Sequence, residues 1–143
     1  MREKLVAHFK DGEIVKGYSG DFISGRDPFH LFSPEGPVAS SRRIGVEEMK
    51  ALFFVRTWGR PPGRALRVYR FGPDDGKEEP GRRAVIRFRD GEKIWGYVLG
   101  QQTAGKGFYL VPADPVGNNL KVFVVESSVE HIEYLERFPD PES

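Results

Sequence analysis

Three histidines, two Asp-Gly pairs and one arginine-rich stretch are the residues of this chain whose types could support chemistry. His8, His30 and His131 lie far apart, and none stands at metal-ligand spacing from another ligand type, so they predict no metal site. The absence of cysteine excludes thiolate nucleophiles, disulfides and thiolate-held zinc or iron–sulfur centres. Asp11-Gly12 and Asp90-Gly91 are each followed by a glutamate, Glu13 or Glu92, which places carboxylates side by side as acid–base catalysis would require. A hairpin turn is a sufficient explanation of the same pairs, because Asp favours such a turn and Gly accepts its positive φ. Gly12 and Gly17 flank a strand-like segment and do not precede a helix, so they do not form a phosphate-cradling loop. Spacing identifies no Ser-His-Asp arrangement. These residues predict no catalytic group, no metal and no cofactor, and the expected protein is not an enzyme.

The most distinctive segment runs from Arg56 to Arg70. It holds Arg56, Arg60, Arg64, Arg67 and Arg70 without an acid, interleaved with Trp58 and Tyr69 and interrupted by Pro61-Pro62-Gly63. Residues 56–83 carry 8 basic against 4 acidic side chains, whereas residues 84–143 carry 6 against 9. Guanidinium groups pair with phosphates and aromatic rings stack on bases, so single-stranded nucleic acid is one partner this stretch could take. The other reading is that the arginines solubilise a connector or pair with the acidic C-terminal half. A pI of about 8.0 is mild for a dedicated nucleic-acid binder. The candidate binding residues are Arg56, Trp58, Arg60, Arg64, Arg67 and Trp95. For Trp95 an exposed docking role and a contact between modules both remain open.

The elements that must position these residues repeat. Val6-Ala-His-Phe-Lys-Asp-Gly-Glu-Ile-Val-Lys-Gly-Tyr18 faces Val85-Ile-Arg-Phe-Arg-Asp-Gly-Glu-Lys-Ile-Trp-Gly-Tyr97 without a gap, and the same offset carries Phe29 and Leu31 onto Phe108 and Leu110. A one-residue adjustment sets residues 49–55 against 129–135. The spacing predicts an internal duplication. The histidines face Arg87, Tyr109 and Ala51 in this alignment, so none recurs as a shared functional group. Within each copy the apolar period is two, which predicts strands. They are expected near Leu5–Lys10, Ile14–Tyr18, Pro28–Phe32, Arg42–Val46 and Lys50–Val55, with counterparts in the second copy at Arg83–Arg87, Ile94–Leu99, Gly107–Val111, Leu120–Val125 and Glu130–Leu135. A turn precedes each last strand. For Val46–Val55 a helix is the alternative, since Met49, Leu52 and Phe53 could share a face.

Five short strands with a single-turn break before the last suit a small bent barrel. Gly12-Glu-Ile-Val-Lys-Gly17 and Gly91-Glu-Lys-Ile-Trp-Gly96, each followed by a loop and an apolar strand, resemble the first half of the Sm-like motif. This resemblance implies a tandem SH3-like or Sm-like fold. It does not imply uridine binding, because the Asp and Asn expected after the second glycine and a closing Arg-Gly pair are missing. The segments Gly81–Gly91 and Gly107–Val125 also resemble a bacterial domain of unknown function, which implies no activity. Arg83-Ala-Val-Ile-Arg87 matches the RxxxR element of cyclic-di-GMP-binding PilZ barrels, but its Asp/Asn-x-Ser-x-x-Gly partner does not follow, and strand alternation alone puts both arginines on one face.

The expected fold is mainly β, with two tandem five-stranded modules at residues 1–55 and 83–136. A connector at 56–82, read as a hairpin or an open linker, and an acidic tail at 137–143 complete the chain. The expected function is a non-enzymatic binding or adaptor protein whose partner is another protein, with nucleic acid as the alternative and self-association as a further expectation. The longest apolar runs, such as Ala51–Val55, fall far short of the roughly 20 residues of a spanning helix, so no membrane partner is expected. No signal-peptide pattern opens the chain, and a cytoplasmic location is expected.

Overall fold

The computed structural model describes residues 3–22, 27–33, 41–58, 80–99, 106–113 and 118–135. Ten strands form: β1 Glu3–Phe9, β2 Ile14–Ser19, β3 Phe29–Phe32, β4 Ser41–Ile44, β5 Met49–Val55, β6 Arg82–Phe88, β7 Lys93–Val98, β8 Gly107–Pro112, β9 Asn119–Val125 and β10 Val129–Tyr134. Single 3-10 turns at Val46–Glu48 and Glu126–Ser128 precede β5 and β10. All ten strands belong to one antiparallel sheet, in the order β10-β6-β7-β8-β9-β5-β1-β2-β3-β4. Among the described residues no helix is long and apolar enough to cross a membrane.

The order within β5-β1-β2-β3-β4 is repeated by β10-β6-β7-β8-β9, and so are the registers. Ala7 opposite Val15 and Leu52 corresponds to Ile86 opposite Ile94 and Ile132. Phe29 opposite Ile44 corresponds to Phe108 opposite Val124. Both halves carry a register shift at the same place, beside Phe9 and beside Val129. The ten expected strands are present, with ends that differ by a residue or two, whereas most of the expected connector at 56–82 and the acidic tail at 137–143 lie outside the described residues. What sequence periodicity did not contain is the pairing of β5 with β9, which fuses the halves into one sheet.

That pairing explains why residues 49–55 form a strand and not a helix. Ala51, Phe53 and Val55 enter one apolar cluster, with Val6, Ala84, Ile86, Phe88, Ile94, Leu110, Val122 and Val124. Met49, Leu52 and Phe54 enter another, with Leu5, Ala7, Phe9, Phe29, Leu31, Ile44, Phe123 and Val125. A strand buried on both faces reads as a continuous apolar run, which hides the period of two. β9 behaves in the same way, sending Val122 and Val124 to one cluster and Phe123 and Val125 to the other. Each cluster draws on strands that are not sheet neighbours, so the sheet bends around it.

Two kinds of glycine shape the halves. Gly12 and Gly91 sit at the hairpin tips with φ +95 and +94, and a Cβ there would meet nothing within 4 Å. Gly17 and Gly96 lie inside β2 and β7, where a Cβ would stand 2.4 Å from the backbone oxygens of Phe32 and Val111. The first kind is needed for its dihedral and the second for close strand approach. Gly91→Ala should therefore cost about 1–2 kcal/mol of conformational strain. Gly96→Ala, the same small change, should cost more because backbone must move. Urea titration of both variants checks this, and the reverse ranking would contradict the strand-approach argument.

A fragment of residues 1–57 should not fold cooperatively, because removing β9 leaves Ala51, Phe53 and Val55 facing water. Exposing Phe53 and Val55 alone forfeits about 1.5–3 kcal/mol each, a large share of what a module this small can supply. A sharp thermal transition of the isolated fragment would refute this dependence.

Candidate functional site

Among the described residues, the seam between the halves carries several long-range polar contacts. On one side, Lys50 of β5 reaches over the Phe88 ring, its Nζ 4.6 Å from the centroid, and pairs with Asp90 at 2.7 Å and with Glu92. Its side chain is only 12% exposed, so its charge is matched internally by the tip of the β6–β7 hairpin. Lys10 donates to the Ser127 hydroxyl at 2.6 Å, and the Arg89 guanidinium donates to the Ser127 carbonyl at 3.0 Å. The buried Ser128 hydroxyl donates within reach of the Val125 and Lys50 carbonyls, at 2.6 and 2.8 Å. Lys10, Lys50, Phe88, Arg89, Asp90, Ser127 and Ser128 line a cavity of about 190 Å³, below the ~300–1,000 Å³ of usual small-molecule sites.

His8 lies under this rim. Its ring meets Phe53 at 4.4 Å, its Nε2 is buried without a hydrogen-bond partner, and burial lowers its pKa to about 4. Glu92 and Lys50 act on it in opposite directions. His30 instead pairs with Asp21, Nδ1 to Oδ2 at 2.9 Å, and His131 is exposed on β10. Among the described residues, no three His, Asp or Glu side chains gather at metal-binding distance.

On the opposite side of the seam, Phe22, Phe54, Tyr109 and Phe123 form an aromatic group with centroids 5.3–6.2 Å apart. Lys121 lies over Phe54 and Tyr109 at 4.6 and 4.8 Å, and burial raises the Tyr109 pKa. At the end of β5 the buried Asn118 clasps the chain. Its Oδ1 accepts from Thr57 N at 3.1 Å, its Nδ2 donates to Thr57 O at 2.8 Å, and its own carbonyl accepts from Arg56 N at 2.9 Å. Asn118 therefore satisfies backbone groups some sixty residues away.

Of the candidate binding residues, Arg60, Arg64 and Arg67 lie outside the described residues. Arg56 is exposed just beyond β5. Trp58 is half-buried: its Nε1 donates to the Leu5 carbonyl at 3.1 Å, its ring meets Tyr18 edge-on at 4.7 Å, and its carbonyl accepts from Lys16 at 2.9 Å. These contacts commit its faces to packing. Trp95 packs with Tyr97, Val111, Ala113 and Leu135 in a satellite cluster confined to the second half. The two tryptophans therefore belong to different clusters, and Trp95 is part of neither seam face.

Sequence reading missed Lys50, Arg42 and Lys106. Arg42 of β4 makes a two-pronged pair with Glu13, both contacts 2.8 Å, and lies 4.6 Å over the Phe9 ring. The Arg42 hydrogen bond holds the Glu13 carboxyl below its usual range. Lys106 pairs with Asp27, whose carboxyl its hydrogen bond likewise lowers. The available signal was non-equivalence between repeat positions: Lys50 corresponds to Glu130 and Arg42 to Val122.

The described structure is thus an all-antiparallel β protein in which several polar side chains, Lys50 and Asn118 among them, join its two halves. Residues 1–136 match the family of unknown function DUF6982, and the chain belongs to that family. No curated protein and no solved structure matches it.

His8 generates a pH prediction. Its folded pKa, about 4, lies below its ordinary value of 6.5, so the unfolded chain binds the proton more readily between those values. The stability it contributes is present above pH 6.5 and is lost as pH falls toward 4. Between pH 7 and 5 the parent should lose about 1–2 kcal/mol more than a His8→Leu variant. The carboxylates act lower, as pH falls through their depressed folded values. Parallel stability–pH curves for the two proteins over this window would show that His8 is not buried neutral.

Proposed function

We propose that this protein is a non-enzymatic binding or adaptor protein acting through protein–protein contacts, and that its contact surfaces are the two outer strands of its sheet. The observation that carries the reading is that β4 and β10 each have a strand neighbour on one side only among the described residues. Such an edge presents backbone donors and acceptors to an added strand, while its side chains set specificity. The two edges differ in charge: β4 holds Arg42 and Arg43 and no acid, and β10 holds Glu130 and Glu133.

We further infer that the halves descend from duplication of one small SH3-like or Sm-like barrel module, working in the cytoplasm. The matching strand order, registers and hairpin glycines support the duplication, and a cysteine-free composition accords with the location. Nucleic-acid binding through the Arg-rich connector is the alternative reading.

Capture of proteins from lysate on the immobilised chain, with and without nuclease, tests the proposal. Capture should survive nuclease and should fall in a Glu130→Lys/Glu133→Lys variant. Retention that disappears with nuclease and weakens steeply with salt, as counterion release demands, would replace this reading with the connector alternative.

A further inference from the structure

We propose that the β4 edge of one chain pairs with the β10 edge of another copy, so that the protein assembles head to tail. The inference deepens the edge-binding reading above and rests on it. Its basis is that the chain already contains this junction once. β5 and β9 are the fifth strand of one half and the fourth strand of the other, and they pair antiparallel along Ala51↔Val124, Leu52↔Phe123, Phe53↔Val122 and Phe54↔Lys121. β10 and β4 are the remaining fifth and fourth strands, and neither has a second neighbour among the described residues.

Advancing the β5 positions by 80 and moving the β9 positions back by 80 transfers this register to the open edges. It sets His131 opposite Ile44, Ile132 opposite Arg43, Glu133 opposite Arg42 and Tyr134 opposite Ser41. An acid therefore lands directly across from a base, the arrangement in which cross-strand charges attract. A second coincidence lies at the hairpin end. In the internal junction Lys50 covers Phe88 and pairs with Glu92. At the open edge the corresponding ring, Phe9, and the corresponding acid, Glu13, are already held by Arg42. The counterpart of Lys50 is Glu130, so an acid arrives at the end of the edge where Arg42, already paired with Glu13, supplies the base.

The edges are unlike each other, and this separates attraction from mere protection. Charged edges commonly prevent sheet-to-sheet aggregation. Here β4 against β4 would set arginines together and β10 against β10 would set glutamates together, whereas β4 against β10 joins opposites. Where the internal seam sets Phe53 against Val122, the transferred register sets Glu133 against Arg42, charges that also suit strands exposed when unpaired. A non-identical contact of this kind propagates until it closes into a ring or extends as a filament.

Sedimentation of the intact chain over a range of concentration and salt tests the proposal. At low salt, species larger than a dimer are expected, and they should dissociate as salt shortens the screening length from about 10 Å at 0.1 M to 3 Å at 1 M. Glu133 makes no ion pair among the described residues and is exposed, so Glu133→Arg should fold normally. It should weaken association by about tenfold or more, with Glu133→Gln in between. Arg42→Glu should do the same alone, and mixing it with Glu133→Arg should restore large species, since each mixed junction is again opposite in charge. If Arg42→Glu fails to fold, the graded Glu133 pair and the salt series decide. A parent chain that stays monomeric at every concentration, or oligomers indifferent to Glu133→Arg, would overturn the proposal. If the monomer still captures another protein in an edge-dependent way, the self-pairing inference falls and the edge-binding reading stands.

Discussion

The antiparallel pairing of β5 with β9 is the contact on which the rest of the structure depends. It places two strands at the centre of a ten-stranded sheet where both of their faces are covered. Phe53 and Val122 then serve the cluster of the second half, while Leu52 and Phe123 serve that of the first. Small β modules bury a modest fraction of their surface and gain little stability alone. Sharing two double-faced strands gives each half more apolar contact than its own five strands could supply. The halves are therefore interdependent parts of one structure.

Polar groups follow from this arrangement. Lys50 leaves the seam at its upper rim, where the adjacent hairpin offers Asp90 and Glu92, and the Phe88 ring beneath it excludes water from one side. Asn118 closes the lower end by satisfying Thr57 and Arg56 backbone groups at the point where the β5–β9 register shifts. His8 is kept neutral because it sits between these features, against Phe53, with no hydrogen-bond partner for Nε2. An unpaired polar atom at such a place costs stability, and burial of the ring ties the seam to pH. Exposed pairs such as Arg87 with Glu130, at 3.6 Å, contribute little by comparison.

The same construction leaves two unlike ends. A strand that is always covered can be apolar, as β5 and β9 are. A strand that meets solvent must carry charge, and β4 and β10 do so with opposite signs. DUF6982 is a family of unknown function, and the proposed binding role follows from these edges and from their likeness to a junction already present in the molecule.

Local chemistry was legible in the sequence. The Asp-Gly pairs determined both hairpins, since only glycine takes φ near +95 without strain. The period of two determined most of the strands, and the matching of residues 6–18 with 85–97 anticipated the matching registers. The run from Met49 to Val55 was ambiguous for a physical reason: burial on both faces removes the alternation that separates strand from helix. Strand partners across the seam were not legible, because pairing between β5 and β9 depends on surfaces more than sixty residues apart and leaves no local periodicity. The roles of Lys50, Arg42 and Trp58 were decided only by tertiary contacts, across the seam for Lys50 and within the first half for the Arg42–Glu13 pair and the Trp58–Leu5 hydrogen bond. Lysine and arginine are ordinary surface types in sequence and Trp58 stood out only as a candidate binding residue; tertiary structure alone brings a carboxylate, a ring or a carbonyl within their reach.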